Sequence, residues 1–235
     1  MVKATAIIQA RMSSTRLPGK VMMQICDKPV IYHIIERLKV CNNLDGIILA
    51  TSTLPDDDVL ESTATYNEIQ CYRGSLDDVL GRYHYAAQGQ SNCIIRVCAD
   101  SPLLDSKLVD TAIEYYYSKD ADIVNIKNMP LGLGAEVFSY TALERAYDLA
   151  DEPYQRENVT PYMYENLIVK HLELERDYSH YRLTLDTKED FEVIQEIYKK
   201  LYKGKHNFFC EEIIRVLEEN PEIAEINKNI EQKQI

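Results

Sequence analysis

At 235 residues, with 46% hydrophobic and 27% charged side chains, the chain has the make-up of a globular protein large enough to bury a core without disulfides. Its formal charge of −12 argues against an extended nucleic-acid surface, which needs clustered Lys and Arg, so any local concentration of cations stands out. Six cysteines without a C-x-x-C pair (Cys26, Cys41, Cys71, Cys93, Cys98 and Cys210) exclude a zinc-ribbon pattern and read as reduced thiols. No apolar run suits a signal peptide or a membrane span, which makes the cytoplasm the expected compartment, with no membrane partner.

In chain order, a first strand is predicted over 5–9, then a polar loop, then a helix over 30–40 with Val30, Ile31, Ile34, Ile35 and Leu38 on one face. A strand over 46–51 follows, with helices over 57–66 and 76–88, a strand over 93–98 and a helix over 107–117. The second half offers strands over 122–126, 169–174 and 182–185, and helices over 140–149, 188–202 and 211–219. Past Pro221 the Lys- and Glu-rich end reads equally as a last helix or a tail. Such alternation implies an α/β fold with a mostly parallel sheet covered on both faces, whose ligands bind beyond the carboxyl ends of the strands.

The loop after the first strand reads ARMSSTRLPGK over residues 10–20. Arg11, Arg16 and Lys20, with the hydroxyls of Ser13 and Ser14, suit a triphosphate, and Gly19 permits close backbone approach. The spacing is not that of a Walker loop. A solvated surface loop is the competing reading. Later, Asp100 ends the strand RVCAD and Asp186 ends RLTLD. Each is equally read as a turn or helix cap, with Glu189 completing a capping box after Asp186. Together they would form the carboxylate pair that a phosphate-bound magnesium ion takes from a protein. His33, His84, His171, His180 and His206 lack ligand spacing, the run 115–117 of tyrosines reads as packing, and Asp56, Asp57 and Asp58 as carboxylates at a helix start.

Eight stretches in order carry a resemblance: IIQARMSSTRLPGKV at 7–21, KPVIYHIIERLK at 28–39, LATS at 49–52, RGSLDDVLGRY at 73–83, RVCADSPLLD at 96–105, GAEVF at 134–138, RENVTPY at 156–162 and RLTLDTKEDF at 182–191. The chain resembles the cytidylyltransferase family typified by spore-coat polysaccharide biosynthesis proteins, related to the CMP-Kdo and CMP-sialic acid synthetases. The resemblance implies one three-layer, GT-A-like nucleotidyltransferase domain over 1–235, using CTP, a sugar-like acceptor and Mg2+; apart from the resemblance, the apolar C-terminal half could support a homodimer. The resemblance also implies that Gln9, Ala10, Arg11, Ser13, Ser14, Arg16, Lys20, Ser52, Arg73, Gly74, Ser75 and Asp78 bind nucleotide. By the same resemblance, Asp100 and Asp186 bind metal and share the catalytic roles with Arg11 and Lys20, while Glu136, Arg156 and Glu157 face the acceptor. Two positions depart from the family pattern: Ala99 stands where glycine is usual, and Asn158 where histidine is. Rival readings are a glycosyltransferase, for which Asp120-Ala121-Asp122 is the candidate metal motif, and a nucleotide-binding protein without catalysis.

Overall fold

The computed structural model describes residues 3–232. From β1 (Ala4–Gln9) the chain passes through the cationic loop and a small hairpin, β2 (Gln24–Ile25) and β3 (Lys28–Pro29), into α1 (Val30–Lys39). Then come β4 (Leu44–Ser52), α2 (Asp58–Tyr66), β5 (Gln70–Gly74), α3 (Val79–Ala87), β6 (Cys93–Cys98), α4 (Ser106–Ser118) and β7 (Ile123–Lys127). The rest comprises β8 (Glu136–Ser139), α5 (Tyr140–Leu149), α6 (Pro153–Asn158), α7 (Pro161–Asn166), β9 (Val169–Glu173), α8 (Lys188–Leu201), α9 (Cys210–Glu219) and α10 (Pro221–Glu225).

Seven strands form one sheet in the order β5-β4-β1-β6-β8-β7-β9, and only β8 runs against its neighbours. The two-residue period of β1 explains how both faces are covered: Ala4, Ala6 and Ile8 enter the core under α1, α4, α8 and α9, while Ile7 enters the one under α3 and α5. On α1, Val30, Ile31, Ile34, Ile35 and Leu38 are all fully buried, each worth about 1.5–3 kcal/mol of transfer free energy. The chain steps outward from β1 through β4 to β5, then crosses back to the other side of β1 as β6. That reversal opens a crevice beyond Gln9 and Cys98, the place where doubly wound sheets bind ligands.

Several elements differ from their sequence expectation. Residues 182–185 are extended but not a strand: Leu183 N donates to Leu131 O and Leu185 N to Asp100 O, so the segment is stitched to two loops rather than to a ladder. Strands β5 and β8 escape periodicity because QCYRG is a half-exposed edge and EVFS is only four residues long. Helix α3 begins three residues later than expected, where Asp78 accepts from Gly81 N. The segment after Pro221 forms α10, with Ile223 buried. Among the described residues, no helix is long and apolar enough to cross a membrane.

Gly132 fixes the course of the segment that leads to Asp186. Its φ is +99°, and a Cβ there would lie 2.7 Å from the carbonyl of Leu183 and from the nitrogen of Thr184. Gly132→Ala is expected to lower stability by about 2–4 kcal/mol. Urea unfolding checks this, and an unchanged midpoint would show that the two loops separate easily.

Candidate nucleotide and metal site

The crevice between β1 and β6 is a cavity of about 260 Å³ lined by Gln9, Ala10, Arg11, Ser14, Arg16, Lys20, Asp100, Glu157 and Asp186, together with Val79, Arg82, Ala99 and Asn158. The loop that brings its cations there is tied down at its root. Met12 N donates to Asp57 Oδ1 (2.7 Å), and the hydroxyl of Ser52 donates to Asp57 Oδ2. Gly19, with φ at +70°, donates its N–H back to Met12 O (2.9 Å), which turns the chain so that Lys20 enters the cavity floor.

At the floor, Lys20 Nζ lies 3.2 Å from Asp100 Oδ2 and 2.9 Å from Asp186 Oδ1. Asp186 is 6% exposed, and its Oδ2 is met by Arg16 (2.9 Å) and Arg182 (3.0 Å). Burial alone would raise its carboxyl, but Lys20, Arg16 and Arg182 outweigh that and hold it below the usual carboxylate range. Its position is inherited from Asp190, a fully buried carboxylate that accepts from Asp186 N (2.9 Å), Thr187 N (3.0 Å) and Arg182 Nε (2.9 Å). Asn227, just past α10, adds a further bond to Asp190 (2.8 Å), so the C-terminal segment braces the site.

A second cavity, of about 440 Å³, adjoins the first and shares Arg11 and Glu157 with it. Ser75 and Asp78 line it from one side and Arg156 from the other. Asp78 and Arg156 form a two-pronged ion pair, Nε–Oδ1 3.0 Å and Nη2–Oδ2 2.7 Å, so neither is a free charge for a ligand in this arrangement.

The remaining expected site residues stand apart from both linings. Ser52 is fully buried and serves Asp57. Arg73 pairs with Asp58 (2.6 Å) and Glu61 (2.8 Å) on α2 and donates to Ser52 O, so its charge is neutralised at the sheet edge, beside Gly74. Glu136 takes bonds from Arg96 (2.6 Å), Tyr164 (2.5 Å) and Thr160 between β6, β8 and α7. Ser13 is exposed. In place of a direct contact, Ser52 and Asp57 supply the anchor of the phosphate-side loop. Arg82 and Val79 line the main cavity without having been expected there, and of the two only Arg82 carried a signal, as a cation in the RGSLDDVLGRY stretch; Asn158, noted as a departure from the family pattern, lines it as well. Asp122 sits at the start of β7 and accepts from Ile168 N, at the end of the sheet away from the crevice, so the Asp-Ala-Asp motif has no part in this site.

Asp100 and Asp186 offer hard oxygen donors that already converge on one cation, the Lys20 ammonium. Among the described residues no group of three or more His, Cys, Asp and Glu comes together, so the site has two protein donors and no cage. That set fits a divalent ion which takes its other ligands from phosphate and water.

A doubly covered α/β sheet with a cationic loop and paired carboxylates at its switch point defines a nucleotidyltransferase-type enzyme. A cytidylyltransferase family model matches residues 5–230, and the chain belongs to that family. Among its relatives are an uncharacterized protein of Methanocaldococcus jannaschii, 39% identical over 99% of this chain and 97% of that one. The spore coat polysaccharide biosynthesis protein SpsF of Bacillus subtilis is 34% identical over 93% and 95%. Among solved structures, a cytidylyltransferase from Leptospira borgpetersenii superposes with a TM-score of 0.90 at 30% identity, over 100% of both chains. A CMP:2-keto-3-deoxy-manno-octonic acid synthetase solved with CTP shares the fold, with a TM-score of 0.66 at 16% identity over 84% of this chain and 99% of the other.

Proposed function

We propose that this enzyme transfers CMP from CTP, with Mg2+, to an oxygen of a sugar acid or of a sugar or polyol phosphate, in surface-glycan biosynthesis. The observation that carries the reading is the convergence of Arg11, Arg16 and Lys20 with Asp100 and Asp186 in one cavity, where Lys20 and Arg16 pair directly with the aspartates. The CTP-bound synthetase of the same fold and the SpsF relative support the choice of base and pathway class.

In this reading the acceptor oxygen forms a bond to the α-phosphorus while the α–β bridging bond breaks, and pyrophosphate leaves with the electron pair. Arg11, whose side chain has no ion-pair partner among the described residues, and Arg16 hold the departing pyrophosphate. Asp100 and Asp186 would hold Mg2+, which would supply charge neutralisation at the phosphates. The chain's own contribution is positioning: loop 11–20 fixes the phosphates, and the cavity shared by Arg11 and Glu157 leads toward the acceptor side. Asn158 has its amide bonded to Tyr154 O and titrates no proton, so the acceptor arrives ionised or loses its proton at the site without a histidine.

Pyrophosphate release, measured with each nucleoside triphosphate against a panel of acidic sugars and sugar or polyol phosphates, is expected only with CTP, a divalent ion and one acceptor class. CTP binding with no release across the panel would favour the nucleotide-binding reading. Release with a sugar nucleotide as donor would favour the glycosyltransferase.

A further inference from the structure

Lys20 belongs to the phosphate-side loop, yet its ammonium is turned into the carboxylates. Nζ donates to Asp100 Oδ2 (3.2 Å), Asp186 Oδ1 (2.9 Å) and the carbonyl of Leu185 (2.7 Å). Three N–H donors meet three oxygens, so this ammonium is saturated, and the residue is 9% exposed.

The other oxygens of the two carboxylates differ in how far they are engaged. Asp186 Oδ2 is shared by Arg16 and Arg182, and Asp100 Oδ1 accepts from Ser101 Oγ (3.4 Å). Lys20 therefore bridges one oxygen of each aspartate, the position from which a single ion would reach both. A divalent ion that needs both carboxylates meets an ammonium already in place, and two cations cannot share that pair without strong repulsion.

We infer that Lys20 is the resident cation of the Asp100–Asp186 pair, that it competes with the divalent ion, and that the nucleotide's phosphates clear the way by drawing Lys20 onto themselves. The inference rests on the proposed role of the two aspartates as metal ligands. Its consequence is coupling: the ion binds weakly to the free enzyme, and nucleotide and ion each raise the affinity for the other by the same factor. An exposed, unneutralised carboxylate pair would take up any divalent ion. This arrangement reserves the pair for an ion arriving with a polyphosphate.

The test is titration of Mn2+ alone, read by electron paramagnetic resonance of the free ion, into nucleotide-free protein. Lys20→Met is expected to bind Mn2+ about ten-fold or more tightly than the wild type, within the range usual for coupled sites, although it loses nucleotide affinity. Adding Asp186→Asn to Lys20→Met removes that gain. Lys20→Gln, which keeps an N–H for Leu185 O, takes its place if thermal unfolding shows that Lys20→Met has lost its fold.

Equal or weaker Mn2+ binding by the Lys20 variants overturns the inference. If at the same time the wild type binds Mn2+ with CTP through Asp100 and Asp186, only the competition is wrong. If neither aspartate affects Mn2+ binding under any condition, the metal assignment falls as well.

Discussion

Asp186→Asn is expected to reduce pyrophosphate release by about 10³-fold, the scale seen when a single preorganised charge-stabilising group is removed from an active site. The reason lies in what surrounds the carboxylate. Lys20, Arg16 and Arg182 all direct N–H groups at it, and an amide would replace one accepting oxygen with a fourth donor. Three cations then lose the charge that offsets them beside a nearly buried position, and in the proposed reaction the divalent ion would lose a ligand. Stability falls too, by about 1–3 kcal/mol, because Asp186 is nearly buried and its partners remain. Asp100→Asn offers a control of different kind. Its side chain is 28% exposed and, among the described residues, meets Lys20 alone of the cations, so it is expected to match the rate loss while barely moving the unfolding midpoint. A variant at 186 that keeps its rate within about ten-fold would remove that residue from the chemistry.

The sheet and its principal helices were legible because burial on both faces leaves short apolar runs, while amphipathic helices leave a 3.6-residue pattern. The cations of loop 11–20 were legible for another reason: three of them in one loop after a strand have few structural uses. What the sequence did not contain is which charges neutralise which. Lys20 stands 80 residues from Asp100 and 166 from Asp186. Arg156 and Asp78, each read as facing a ligand, are 78 residues apart and face one another. Asp57 stands where it was read, at the start of α2, yet its hydrogen bonds reach beyond the helix. Read as a carboxylate at a helix start, it is 2% exposed and holds Met12 N and Ser52, so it shapes the loop from behind. Local pattern names the charged groups; only tertiary register decides whether a partner is ligand or protein. Residues 182–185 illustrate the same limit, since an extended apolar run looks identical whether its backbone meets a ladder or two loops.

Stability is expected to fall between about pH 7 and pH 5, before most carboxylates titrate, by about 2–4 kcal/mol. The source is a buried histidine pair outside the site: His33 Nδ1 lies 2.9 Å from His206 Nε2, and the other His33 nitrogen is 2.8 Å from Ile25 O. His33 is lowered to about 4, chiefly by burial and further by Arg37, against the opposing bond to Ile25. His206 is lowered to about 3 by burial, then by Arg37 and by His33 itself. Arg37 is fully buried, donates to Leu104 O, Phe208 O and Tyr198 OH, and has no carboxylate partner among the described residues, so its charge bears directly on the pair. Both rings are neutral in the folded state at neutral pH. As pH drops below the unfolded value near 6.5, the unfolded chain takes up protons that the native pair refuses, so stability present above that value is lost toward the folded values. Because the rings touch, the second proton enters against the first, and the loss belongs to the pair rather than to either residue. Urea midpoints at about pH 7, 6 and 5 measure it, with His206→Phe as the comparison. The wild-type curve should slope steeply where the variant's is flatter, and parallel curves would place the acid sensitivity elsewhere.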